Sequence, residues 1–372
     1  MIPIAKPYLT KDEAQAAYDT ILSGWITQGP KVAEFEEKFA KYIGVEHAIA
    51  VSNCSTALHL TMIVAGIKEG DEVICPSMSF IATANCIKYV GATPVFVEVN
   101  NDYNLDIEDV KRKITSKTKA ILIVHQLGLP VEIDEFSILC KERNLLLIED
   151  AACAIGSSYK GKKIGSHSDL VCFSFHPRKV ISTGDGGMIT TSNKEYSDRI
   201  RLLRQHGMSV NDRTRYESNK VIFEEYVEVG YNYRMTDIQA SVGIKQLEKL
   251  DWIVEQRREI AKKYYEGLKD LTTIVLPCEP KNKIFNFQTY SIILKENSKI
   301  NRDELMQKLL DNGIASRKGV TTIHREKAYS HCKVSLPISE DLSDRSIIIP
   351  LFVPMSDEDV NFVIHHLVTL LN

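Results

Sequence analysis

Lys179 ends the run Phe173-Ser174-Phe175-His176-Pro177-Arg178-Lys179, and Gly184-Asp185-Gly186-Gly187 follows closely. A lysine held among aromatic and proline side chains can have its ammonium destabilised, because burial disfavours the charged form. Such an amine is a candidate Schiff-base former. Upstream, the apolar run Leu145-Leu146-Leu147-Ile148 ends in Glu149-Asp150. Alternation along a strand sends these two carboxylates to opposite faces, with Asp150 expected in the site and Glu149 expected to face solvent. A carboxylate at the mouth of a buried strand suits a cationic ring nitrogen. Lysine and acid together point to pyridoxal-phosphate chemistry, in which the cofactor ring is an electron sink beside an acid partner.

Such residues must be held by a rigid scaffold. Short apolar strands are expected near 48–51, 72–75, 94–99, 120–125, 145–149, 170–175 and 187–191, with helix-period segments such as 56–65, 82–90 and 135–143 between several of them. Strands apolar throughout fit a sheet covered on both faces, and the alternation of strand and helix argues for a mainly parallel sheet in an α/β/α layer structure. Ligands of such sheets collect at the carboxyl ends of the strands. Ser55, His125, Asp150 and Ser174 all fall at or just after expected strand ends. Cys54 and Ser55 precede a helix, so their N–H groups and the Ser55 hydroxyl can meet a phosphate at its positive end; a plain N-cap role for Ser55 is compatible with that.

A second unit follows. Thr236-x-x-Gln239 is a capping-box signature opening a long helical pattern through Ile238, Val242, Leu247, Leu250 and Val254. Leu276-Pro277-Cys278-Glu279-Pro280 then breaks the chain, and strand-like 289–294, helix-like 302–312 and a closing segment 357–371 complete a smaller α/β domain. The expected division is 1–240 and 241–372, in keeping with a chain of 372 residues, too long for one compact core.

Composition restricts the function classes. With 44% hydrophobic and 26% charged residues the chain reads as an ordinary soluble protein, and a formal charge of -3 argues against general affinity for nucleic acid or anionic membrane. No run approaches the ~20 apolar residues of a membrane helix, and the N-terminal residues carry no apolar stretch of the signal-peptide kind, so a cytoplasmic location is expected. The eight cysteines include no C-x-x-C pair, which makes structural zinc and a disulfide framework poor readings; they are expected to be mostly small buried hydrophobes.

The ordered set of motifs resembles the DegT/StrS type of sugar aminotransferase, a family of fold-type I pyridoxal-phosphate enzymes. The likeness begins at Pro7 and Ser23-Gly24-Trp25-Ile26-Thr27-Gln28-Gly29-Pro30. It continues through Asn53-Cys54-Ser55-Thr56-Ala57-Leu58-His59-Leu60, Pro76-Ser77-Met78-Ser79-Phe80-Ile81-Ala82-Thr83-Ala84-Asn85 and Glu149-Asp150-Ala151-Ala152. The Lys179 block, Gly230-Tyr231-Asn232-Tyr233-Arg234-Met235-Thr236-Asp237 and Leu336-Pro337 complete it. The resemblance implies a three-layer α/β/α large domain with a mainly parallel seven-stranded sheet, like that of aspartate aminotransferase, plus a smaller C-terminal domain. It implies pyridoxal 5'-phosphate as cofactor, joined to Lys179 as an aldimine, with Lys179 also moving the substrate proton. Asp150 would pair with the ring nitrogen, and Cys54, Ser55 and Ser174 would bind the phosphate. Phe80 would lie against the ring, and Asn232 would reach the phosphate from the other subunit of a homodimer. Relatives carry glutamine, histidine or glutamate where this chain has Cys153, which alters the tuning of the cofactor rather than the chemistry.

For the substrate, Arg317, Lys318, His324, Arg325 and Lys327 form a basic cluster that reads either as a solvated loop or as a phosphate site. The resemblance favours the second, with His324 and Arg317 bordering the acceptor, His176 nearby, and the loop carrying Trp25, Thr27 and Gly29 closing over a sugar. Glutamate is the amino donor implied, and a nucleotide-linked keto-sugar the acceptor. A dehydratase branch of the fold typically has histidine in place of the lysine, so Lys179 argues for amino transfer. Three rivals remain: a small phosphorylated ketone as acceptor, a non-catalytic sugar-binding regulator, and a nicotinamide dehydrogenase. The last fits poorly, since Gly184-Asp185-Gly186-Gly187 precedes an expected strand, whereas a dinucleotide loop follows one.

Overall fold

The computed structural model describes residues 1–210, 215 and 218–372. The chain opens with helices α1 (Lys11–Ser23) and α2 (Pro30–Ile43), then β1 (His47–Val51), α3 (Cys54–Val64), β2 (Glu72–Pro76), α4 (Ala82–Tyr89), β3 (Thr93–Val97), α5 (Ile107–Lys113) and β4 (Thr118–Val124). After α6 (Ile133–Arg143) come β5 (Leu146–Asp150), the short β6 (Ser158–Tyr159) and β7 (Lys162–Lys163), β8 (Leu170–Ser174), β9 (Gly187–Thr191) and α7 (Lys194–Leu203). A long helix, Asp237–Leu268, follows, starting at the capping box read from sequence: Gln239 N–H donates to Thr236 Oγ1 (3.2 Å) and Thr236 N–H to Gln239 Oε1 (3.0 Å). The expected boundary between residues 240 and 241 falls in the first turns of this helix.

The seven expected strands form one sheet in the order β1-β9-β8-β5-β4-β2-β3, parallel except for β9, which runs antiparallel to both neighbours. Alternation along the strands explains the layers. Ile49, Val73, Leu122, Ile148 and Cys172 face one core, whereas Ala50, Ile74, Ile123, Val171 and Phe173 face the other. Both sets are fully buried, which is why these strands read as continuous apolar runs. The second core runs on through Leu250, Ile253 and Tyr264 of the long helix to Ile292, Ile347 and Val363.

The C-terminal part carries β10 (Ile274–Val275), β11 (Lys283–Ile284), β12 (Tyr290–Leu294), β13 (Arg317–Lys318) and β14 (Ser346–Ile349). Four of them make an antiparallel sheet, β10-β12-β14-β13, covered by helices Arg302–Asp311 and Asp357–Leu371; β11 instead joins β6 and β7 of the large unit. The architecture is the one the resemblance implied, a mainly parallel seven-stranded sheet with a smaller C-terminal sheet. Among the described residues no helix is long and apolar enough to cross a membrane.

Candidate active site

The chemistry-bearing residues meet at the carboxyl ends of β5 and β8. Asp150 closes β5, its carboxylate buried: Oδ1 accepts the N–H of Ala152 (3.1 Å) and Oδ2 accepts the Thr83 hydroxyl (3.1 Å). Thr83 lies in the first turn of α4, and Ser79 hydrogen-bonds its hydroxyl at 2.8 Å. Burial pushes the Asp150 carboxyl above its ordinary value, against the pull of the Ala152 N–H, the Lys179 charge and the Thr83 hydroxyl. An acid in that condition ionises readily only beside a cation.

Lys179 supplies one. Its Nζ donates to Cys153 Sγ at 3.3 Å, from a half-buried side chain just past β8. Burial lowers its proton affinity, but Cys153, Cys54 and Asp150 outweigh that and hold Lys179 above the usual lysine value. The sequence expectation that burial would destabilise this ammonium therefore captures the opposing effect and misses the larger sum. The Cys54 thiol is pushed well up, by burial first and by Asp150 next.

Two glycines permit close approaches that a side chain would block. Gly187 pairs with Val51 on one side and Ser174 on the other. A Cβ there would lie 2.5 Å from the carbonyl of Asn53 and 2.8 Å from the nitrogen of Cys54. The N-terminus of α3, capped by Asn53 Oδ1 accepting from Thr56 N–H (3.0 Å), is thereby seated against the end of β9, opposite Ser174. Asn53, not Ser55, is the cap, which leaves the N–H groups of Cys54 and Ser55 ahead of the first intrahelical bond, Ala57 N–H to Asn53 C=O. Gly128, at φ +102°, makes room for Asn286, whose Oδ1 would sit 1.9 Å from a Cβ at that position.

Asn286 shows how the smaller unit reaches into the site. Its Nδ2 donates to the carbonyls of Cys153 and Ile155, both at 2.8 Å, and Gln288 Nε2 donates to the carbonyl of Arg178 at 2.8 Å. One loop thus grips Cys153, which carries the thiol, and Arg178, the residue before the lysine. Arg257 of the long helix holds that loop, donating to the carbonyls of Phe287 (2.9 Å), Gln288 (2.5 Å) and Leu351 (3.2 Å). Burial pushes Arg257 down to about 9, still protonated at neutral pH. Sequence reading met Thr83 only as one residue of a matched run, without a role, and did not find Asn286 or Gln288, because their partners are remote in the chain and nothing local marks them.

Other expected residues are placed less centrally. Glu149 does not face solvent: it is wholly buried, with Oε2 2.7 Å from His125 Nε2, and His125 is buried as deeply. Val131 N–H donates to His125 Nδ1 (3.1 Å), which assigns the ring proton to Nε2. Burial raises the Glu149 carboxyl, but His125 brings it below the ordinary range. The expectation failed because a sheet covered on both faces has no solvent side. Phe80 is 70% exposed and one turn ahead of Thr83. Asn232 is exposed and bridges Gln205. His176 is half-buried and accepts from Arg178 N–H at 3.3 Å, and burial and the Arg178 charge lower its proton affinity. His324 is buried, with Nδ1 2.5 Å from Ser77 Oγ and Nε2 3.2 Å from Glu340, and Arg325 pairs with Asp344. Of the expected basic cluster, Arg317 is the arginine left without a carboxylate among the described residues. The loop of Trp25, Thr27 and Gly29 is tied to the long helix. Asp237 Oδ1 accepts from Gly29 N–H (2.7 Å), Thr27 C=O accepts from Asp237 N–H (2.9 Å), and a Cβ on Gly29 would strike both Asp237 and the half-buried Trp25.

A family model, the DegT/DnrJ/EryC1/StrS aminotransferase family, matches residues 7–368. The chain belongs to this aminotransferase family. Among its relatives, GDP-perosamine synthase of Escherichia coli O157:H7 is 38% identical over 364 residues, 97% of this chain and 96% of that protein. The spore coat polysaccharide biosynthesis protein SpsC of Bacillus subtilis is 35% identical over 98% of this chain and 95% of its own length. In structure, the sugar aminotransferase Spr1654 of Streptococcus pneumoniae in its PMP-form superposes with a TM-score of 0.94 at 28% identity, covering 100% of this chain and 99% of that one; its PLP-form gives 0.92 at 29% identity. This aminotransferase is pyridoxal-phosphate-dependent. Its residues suit the cofactor: a buried carboxylate that calls for a cation, an amine beside it, and a helix N-terminus with a facing hydroxyl around Gly187 for a phosphate.

Proposed function

We propose that this aminotransferase moves an amino group from glutamate to the keto group of a nucleotide-linked keto-sugar, acting in the cytoplasm as a homodimer with shared active sites. The observation that carries the reading is the Lys179–Asp150 centre, an amine and a buried acid brought together at the carboxyl ends of the neighbouring strands β5 and β8. The acceptor class rests on the relatives, among them one named GDP-perosamine synthase and one named for spore coat polysaccharide biosynthesis.

When bound, pyridoxal phosphate supplies an electron-withdrawing ring that makes a proton on the neighbouring substrate carbon acidic. The protein's own part is positioning and proton transfer. Lys179 Nζ takes the proton from the donor's carbon and returns it where the amine is made. Asp150, its oxygens fixed by Ala152 and Thr83, would serve as the counter-charge to a protonated ring nitrogen. The N–H groups of Cys54 and Ser55, with the Ser55 and Ser174 hydroxyls, would hold the phosphate; Phe80 would lie against the ring, and Asn232 would reach the phosphate site of the other subunit. Cys153 lies against the lysine and, with Cys54 and Asp150, raises its proton affinity against the effect of burial. Substrate contacts are assigned to Trp25, Thr27, Gly29, His176, Arg317 and His324.

Incubation of the holoenzyme with L-glutamate and a panel of nucleotide keto-sugars and small phosphorylated ketones, with product masses measured, tests the reading. The expected product is an amino sugar nucleotide together with 2-oxoglutarate. Amination confined to the small ketones would reject the acceptor, and a protein that takes up no cofactor would reject the whole mechanism.

A further inference from the structure

A thiol and an amine meet in this site from separate strands. Cys153 follows β5, Lys179 follows β8, and Nζ donates to Sγ at 3.3 Å. Each is held from behind: Asn286 Nδ2 donates to the Cys153 carbonyl and the Lys179 N–H to the His176 carbonyl, both at 2.8 Å. Both residues are half-buried, open to a small solute. Oxidants select thiols that are partly exposed and beside a cation, whereas buried ones are inert. Cys75, Cys86, Cys140 and Cys172 are buried. Cys54 and Cys332 are half-buried, but burial pushes both thiols up, away from the reactive thiolate. Among the described residues, Cys153 is the cysteine with an amine in hydrogen-bond contact.

We propose that Cys153 and Lys179 are an oxidative modification site, at which a hydroperoxide joins Sγ to Nζ and withdraws the lysine from the reaction. The peroxide first takes two electrons from the sulfur: its O–O bond breaks, one oxygen stays on Sγ as a sulfenic acid, and the other leaves as water. Neutral Nζ then attacks Sγ. The N–S bond forms, the S–O bond breaks, and the departing hydroxide takes the nitrogen's proton as a second water. A dithiol reverses the bond: one thiol cleaves N–S and returns the amine, and the other frees Cys153 from the mixed disulfide. Burial lowers the proton affinity of Lys179, but Cys153, Cys54 and Asp150 outweigh it. The neutral amine is therefore scarce at neutral pH, and the bond forms faster as pH rises. Occupancy of the nitrogen sets the timing. On the transamination reading above, Lys179 is bonded to the cofactor at rest and is freed when the cofactor takes the donor's amine, so the pair is shielded at rest and open during turnover.

The test treats holoenzyme with hydrogen peroxide at pH 7 and pH 9, with and without L-glutamate, and maps peptides by mass after non-reducing digestion. The expected product joins the Cys153 and Lys179 peptides and weighs two hydrogens less than their sum. It is expected in glutamate-treated protein, more at pH 9 than at pH 7, and not where borohydride has first fixed the cofactor to the lysine. Turnover should fall in step with the linked fraction and return on adding dithiothreitol. In Cys153→Ser, measured against its own untreated activity, the recoverable loss should vanish. Sulfinic acid at Cys153 with Lys179 free, a disulfide to Cys54, or a link that retains oxygen would each overturn the site. Equal linkage with and without glutamate would support the bond and overturn instead the donor reading on which its timing rests.

Discussion

At residue scale the site is a buried acid whose desolvation the Lys179 charge only partly offsets. Asp150 is buried, and its carboxyl lies above the ordinary value because burial outweighs the Ala152 and Thr83 donors. A carboxyl raised on folding contributes stability that is present below the unfolded value, about 3.9, and is lost as pH rises through the folded value. In cofactor-free protein Asp150→Asn is therefore expected to raise the melting temperature at pH 7, with the difference from wild type shrinking toward pH 4. The same substitution is expected to weaken cofactor retention, measured by dialysis and absorbance, since it removes the counter-charge. Lys179→Ala should fold, yet lose multiple-turnover amination by at least roughly 10³-fold, the range for removing a positioned proton carrier. Normal multiple turnover in that variant would remove the mechanism.

Elements hold those residues through a few long-range contacts. Gly187→Ala puts a methyl group against the Asn53 carbonyl and the first nitrogen of α3. Overpacking of that kind costs about 1–3 kcal/mol, and the larger effect is expected on cofactor affinity, read by fluorescence titration, because the phosphate cradle is forced open. At the other end of the long helix's contacts, Glu13 of α1 receives Lys249 Nζ at 2.8 Å and Gln246 Nε2 at 2.9 Å. Burial raises the Glu13 carboxyl, but these partners and Thr10 bring it down to about 2. A lowered carboxyl contributes stability above its unfolded value, lost as pH falls from about 4.5 through 2. Glu13→Gln should lower stability at pH 7 and approach wild type in denaturant titrations below pH 3. The capping box at Thr236 and the strands around Asp150 were legible from sequence because each is a local pattern. The buried Glu149–His125 pair was not, since its two members come from neighbouring strands and nothing local in either run names the other. Asn286 and Gln288 left no trace because their partners, Cys153 and Arg178, lie more than a hundred residues away.

For the whole molecule, the segment before the long helix exposes Val221 (83%), Phe223 (85%) and Val229 (88%), with Tyr226 and Val227 also uncovered. Apolar side chains exposed in such a group mark an interaction surface, and Asn232, proposed to act in the other subunit, lies just beyond them. The holoenzyme is expected to sediment at twice the mass of one chain, and Phe223→Asp with Val229→Asp to shift it toward the monomer with loss of cofactor affinity. A wild-type monomer at micromolar concentration that retains full activity would reject shared sites.

Residue types and their spacing were enough to establish the layered α/β architecture, the lysine and acid at the strand ends, and the kinship that makes the protein a transaminase. Those features are local: a period of two, a capping signature, a motif read along the chain. Tertiary structure alone decided that Glu149 is buried against His125, that a loop from the smaller unit grips both Cys153 and Arg178, and that Arg178 stands with Arg317 while Arg325 is neutralised by Asp344. Each depends on which distant segments fold together, and charge and hydrogen bonding act across space rather than along the chain.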